Sequence, residues 1–87
     1  MKRYIKIKKY RKQIDKIHQK MIILIAERNR ISKKIYRLKE KIDLPKIDIK
    51  REKEMVESAK KIAKRLKIKE KTVVKIMKIL IRNNLDK

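Results

Sequence analysis

Apolar residues recur at three- and four-residue steps along the first half of the chain: Ile7, Tyr10 or Arg11, Ile14, Ile17, Met21, Leu24, Arg28, Ile31, Ile35, Leu38 and Ile42. This is the a/d spacing of a heptad held over several repeats, and it predicts a helix. No Gly or Pro interrupts the run, so one long helix is expected from about Tyr4 to Lys41. The seam has a conspicuous irregularity. Between Leu24 and Ile31 its beat falls on Arg28, a guanidinium where a hydrophobe belongs.

The segment IDLPKID ends the pattern. Pro45 disfavours the α region for Leu44, and Asp48 is a good N-cap for a new helix. This second helix is expected over roughly Ile49 to Leu66, with its seam at Glu52, Met55, Ala59, Ile62 or Ala63, and Leu66. After the polar KIKEKT stretch, a third is expected over about Glu70 to Leu85. Its face reads Val73, Ile76 or Met77, Leu80 and Asn84. Each shorter helix thus carries one polar beat as well, Glu52 and Asn84. There is no internal repeat.

Length then constrains architecture. A helix of ~38 residues extends for about 57 Å. A compact chain of 87 residues has a radius of gyration near 12 Å and is only ~30 Å across. The long helix must overhang its own domain, yet its apolar seam continues to both ends. The expected fold is therefore all-α: a single domain over residues 1–87, with one long and two shorter helices. Two such chains would form an intertwined antiparallel homodimer in which the long helices pair.

Composition removes several classes of chemistry. There is no Cys, hence no disulfide and no thiolate metal site, and a single histidine, His18, cannot form a His cluster. No cofactor or metal is expected. The longest apolar run, MIILIA, falls far short of the ~20 residues a membrane span needs. The basic N-terminal stretch lacks the apolar core of a signal peptide, so a cytoplasmic location is expected. The formal net charge of +21 suits a nucleic-acid or other polyanion partner. It suits equally a coding bias toward lysine and isoleucine, and composition leaves both readings open. Three tyrosines and no DNA-reading motif limit any nucleic-acid binding to the non-specific, salt-sensitive kind.

The polar beats form a candidate site. Arg28 and Lys39 are eleven residues apart, almost three whole turns, so they share a face about 16 Å apart along the axis. Ser32 lies between them. Glu52 and Asn84 point inward from the other helices, and Asp48 and Arg51 sit at the start of the second. One reading is structural: Arg28 pairs with Glu52, and Asn84 is a solvated helix end. The other is a ligand site. Arg28, Lys39 and Arg51 outnumber the carboxylates of Glu52 and Asp48, and a buried surplus of positive charge calls for an anion bearing carboxylates or phosphate. Arg11, about 25 Å from Arg28 along the helix, cannot join that site in cis. In an antiparallel pair centred near Lys20, Arg11 of one chain would lie beside Arg28 of the other.

These residues resemble the all-helical, AroQ-class chorismate mutases. The stretch RKQIDKIHQKMIILIAERNRISKKIYRLK carries an arginine at Arg11, the IDKIH and IILIAER segments, and Lys39 eleven residues after Arg28. The connector pattern P-x-x-D-x-x-R-E appears as Pro45, Asp48, Arg51 and Glu52. The resemblance covers nearly the whole chain. It implies an intertwined dimer and the rearrangement of chorismate to prephenate, a step in phenylalanine and tyrosine biosynthesis. It further implies that Arg28 and the partner chain's Arg11 grip the two carboxylates, and that Lys39 contacts the ether oxygen and a carboxylate. Glu52 and the backbone at Asp48 would bind the ring hydroxyl, with Arg51 ordering that corner and Asn84 lining the carboxylate end.

Three positions depart from the family pattern. His18 stands where the family prefers Asp and reads as a surface residue, and Lys46-Ile47 reverses the usual order after Pro45. The family's Gln or Glu donor to the ether oxygen would fall one residue beyond Lys87. Absence of such a donor can cost on the order of 10²–10³ in rate, and three readings stay open: a truncated chain, Lys39 working alone, or weak or lost activity. The alternatives are an isochorismate-pyruvate lyase of the same fold and a weakly active or inactive basic helical dimer that binds nucleic acid.

Overall fold

A computed structural model describes residues 2–83. They form three α-helices, α1 (Lys2–Lys41), α2 (Ile49–Arg65) and α3 (Glu70–Asn83), with no strand among the described residues. The all-helical, three-helix expectation is met. The helix boundaries fall within one or two residues of those read from the sequence, as far as the described residues extend. Contacts divide the chain into two units, the first ending at Ile31 and the second beginning at Ser32. The division falls inside α1, whose helical hydrogen bonding runs through it.

The first unit is the N-terminal three-quarters of α1. It starts on Lys2 and Arg3, with no acidic residue in its first turn, so its charges oppose the helix dipole. It has no buried residue. The seam residues Ile7, Tyr10, Ile14, Ile17, Met21 and Leu24 are all exposed, whereas Ile25, Arg28 and Asn29 are half-buried.

The second unit holds the last ten residues of α1 together with α2 and α3, which pack against each other as a helical hairpin. Ala59, Ala63 and Ile81 are its buried side chains. Two alanines on one face of α2 let the helices approach closely. Half-buried Met55, Val56, Val73, Val74, Met77 and Leu80 broaden the contact. The open alternatives in the seams of α2 and α3 are resolved. Ala63 is buried while Ile62 is 44% exposed, and Met77 is half-buried while Ile76 is 45% exposed. Two positions differ from expectation. Ile81 is buried beside the expected face of α3, because a core-facing stripe is wider than a strict a/d row. Leu66 is exposed, because it follows the last turn of α2 as its C-cap.

The helix ends show how a chain without glycine turns corners. Asp48 caps α2 as expected: extended at φ −123°, its carboxylate accepts from the Arg51 N–H at 3.0 Å. At the C-terminus of α1, the Leu44 N–H donates to the Lys39 carbonyl at 2.9 Å and the Asp43 N–H to Glu40 at 3.4 Å. At the end of α2, the Ile68 N–H donates to Ala63 at 2.9 Å and the Lys67 N–H to Lys64 at 3.2 Å. Both are Schellman closures, which place one residue in the left-handed region, usually a glycine. Here Asp43 (φ 56°) and Lys67 (φ 58°) take that role. No helix among the described residues is long and apolar enough to cross a membrane.

Candidate active site

The start of α2 is the best-defined corner of the site. Asp48 spends its carboxylate on the cap, and its carbonyl accepts from the Glu52 N–H at 3.0 Å, the first bond of the helix. What Asp48 presents is therefore chiefly backbone. The Arg51 side chain is exposed and pairs with Glu54 at 3.6 Å, one turn along the same helix. Glu52 occupies the first turn of α2, where a carboxylate is favoured by the helix dipole.

The Glu52 side chain is mostly covered, at 17% exposed. Its Oε1 lies 2.9 Å from Arg82 Nη2, a bond that ties the first turn of α2 to the last turn of α3. The sequence pattern alone does not single out Arg82. A signal was present: Lys78 and Arg82, four residues apart, share the face of α3 that borders Ile81, and an acidic beat on the facing helix needs a cation there. Ile49, Glu52, Val56, Lys78, Ile81 and Arg82 are among the residues lining a groove of about 720 Å³ between α2 and α3.

Lys39 is half-buried near the end of α1. Its ammonium donates to the Lys46 carbonyl at 3.2 Å and lies 6.0 Å from the centroid of the Tyr36 ring. The flexible lysine stem is thus held toward the loop that leads into the Asp48 cap. Ser32 is half-buried in the same unit. Arg11, exposed, and Arg28, half-buried, belong to the first unit. Asn84 lies outside the described residues. The structure therefore brings together Asp48 with Arg51, Lys39 with the connector, and Glu52 with Arg82. Among the described residues there is no grouping of three His, Cys, Asp or Glu side chains suited to a metal ion.

This arrangement offers fixed positive charge, one screened carboxylate and a backbone corner at a helix start. It contains the elements of anion binding and hydroxyl recognition. Comparison with known proteins gives it a family. Residues 10–87 match the family model of chorismate mutase type II. A chorismate mutase of Methanocaldococcus jannaschii is 37% identical over 79 residues, which cover 91% of this chain and 80% of that protein. No solved structure matches. The chain belongs to the type II chorismate mutase family.

Proposed function

We propose that this member of the type II chorismate mutase family converts chorismate to prephenate as a cytoplasmic homodimer, with residues 1–87 acting as one catalytic domain. The observation that carries the reading is the family match, which spans residues 10–87 and so takes in Arg11, Arg28, Lys39, Asp48, Arg51, Glu52 and Asn84.

The reaction is an intramolecular [3,3] rearrangement. One carbon–carbon bond forms as the ether carbon–oxygen bond breaks, and no proton or electron is exchanged with the protein. It requires no nucleophile and no proton shuttle. Two contributions remain. The first is to hold a flexible dicarboxylate in its compact reactive conformer, an entropic contribution. The second is to place positive charge where the breaking ether oxygen gains electron density.

Arg28 and Arg11 of the partner subunit make the first contribution by each taking a carboxylate in a planar, bidentate grip. Lys39 makes the second. Its tie to the Lys46 carbonyl supports this role, since a tethered ammonium needs little reorganisation when charge develops. Glu52 and the Asp48 backbone bind the ring hydroxyl, Arg51 orders that corner, and Asn84 and Ser32 line the remaining wall. The exposed seam of α1 supports the dimer: Ile7, Ile14, Met21 and Leu24 need cover, and a second α1 supplies a complementary row.

The test is the conversion of chorismate by the purified protein. Saturable loss of chorismate with prephenate as product is expected, with isochorismate turned over more slowly or not at all. Arg28→Ala should lower kcat/KM by at least 10²-fold while the dimer stays helical by circular dichroism. Activity that merely tracks the folded fraction of that variant would make Arg28 structural.

A further inference from the structure

The ion pair across the α2–α3 groove has an asymmetry that bears on catalysis. Glu52 is mostly covered, at 17% exposed, whereas Arg82 is half in solvent at 51%. A covered carboxylate is costly unless it is bonded, and at 2.9 Å the guanidinium is at hydrogen-bonding distance. Lys53 and Lys78 line the same groove, but the bond to Glu52 comes from the planar group, which fixes direction as well as charge.

We propose that Arg82 is a positioning residue of this enzyme, holding the Glu52 carboxylate in the orientation that accepts the ring hydroxyl of chorismate. This rests on the reading that Glu52 binds that hydroxyl. Arg82 engages Oε1. An ionised carboxylate has acceptor sites on both oxygens, so Oε2 takes the substrate while Oε1 is held. Without that hold, Glu52 would rotate among its rotamers on the first turn of α2 and spend part of its time misdirected. There is an electrostatic consequence too. The substrate is a dianion, and an uncompensated Glu52 would repel it. Arg82 offsets that repulsion from the far side of the carboxylate.

The competing view is that the pair only staples α3 to α2. The two are separated in the full-length protein with Arg82→Gln, Arg82→Lys, Glu52→Ala and the Glu52→Ala/Arg82→Gln double variant. KM, kcat and the melting temperature are measured for each. Arg82→Gln is expected to raise KM about tenfold with a smaller fall in kcat, read at a temperature where the variant, although its melting temperature falls, is still folded. Arg82→Lys should recover much of the loss, and in the Glu52→Ala background Arg82→Gln should add nothing further. Wild-type kinetics for Arg82→Gln would overturn the proposal. So would a loss that adds in full to that of Glu52→Ala, or one that tracks the unfolded fraction. Wild-type kinetics for Glu52→Ala would sink the Glu52 reading and the Arg82 proposal together. An impaired Glu52→Ala with a normal Arg82→Gln would sink the Arg82 proposal alone.

Discussion

At the scale of single residues, the proposed site draws on groups that also close the fold. Asp48 is the clearest case, because its carboxylate is committed to the Arg51 N–H at 3.0 Å. Asp48→Ala should therefore destabilise the protein by about 1 kcal/mol, the usual value of an N-cap. It should also loosen the first turn of α2 and so raise KM through Glu52. Asp48→Ser retains a capping oxygen and should restore both. If Asp48→Ser kept stability but lost activity, measured by urea titration and steady-state kinetics, the carboxylate itself would be in contact with substrate. Much of this corner is legible in the sequence. Among the proposed site residues, Arg28 and Glu52 stand out because each breaks a hydrophobic beat, Lys39 because it follows Arg28 by eleven residues on one helix face, and Asp48 because it comes after Pro45 and before a helix. Arg82 does not stand out, since it flanks a seam rather than interrupting it. In a chain with 31 Lys and Arg, a flanking cation carries little signal until the facing carboxylate is placed opposite it.

At the scale of elements, the helices arise from periodicity and from the lack of breakers, and their ends from capping chemistry. What periodicity alone leaves open is the choice between neighbours such as Ile62 and Ala63. Both fit a heptad, and only the close approach of α3 selects the smaller side chain. The ends of α1 and α2 are less readable for another reason: the left-handed residues are Asp43 and Lys67, where a glycine would have announced the stop. That choice has a cost. A residue with a Cβ in the left-handed region is strained by roughly 1 kcal/mol, and Lys67 lacks the short polar side chain that eases the strain in Asp. Lys67→Gly should raise the unfolding free energy by about 0.5–1 kcal/mol with catalysis unchanged, and Asp43→Gly should gain less. A loss of stability for Lys67→Gly in chemical denaturation would mean that its backbone is not under that strain.

At the scale of the whole molecule, charge and assembly dominate. A net charge of +21 repels itself, and salt screens that repulsion over a Debye length of about 8–10 Å at ordinary ionic strengths. Added sodium chloride should therefore raise the melting temperature. It should also raise KM, because the same screening weakens attraction for a dianionic substrate. A fall in both would contradict this division of labour between fold and site.

Assembly gives a sharper test, because the proposed sites draw Arg28 from one subunit and Arg11 from the other. Arg11→Ala and Arg28→Ala homodimers should each be nearly inactive, since every site in them lacks one arginine. Mixed in equal amounts and allowed to exchange subunits, half of the dimers become heterodimers. In each heterodimer one site has lost both arginines, while the other combines the intact Arg28 of one chain with the intact Arg11 of its partner. Activity should therefore return to about a quarter of the wild-type value, as expected for random exchange between two-fold symmetric dimers. The regained activity should appear with the kinetics of subunit exchange. If mixing restores nothing although exchange is seen by mass spectrometry, Arg11 and Arg28 serve the same subunit's site or Arg11 serves none.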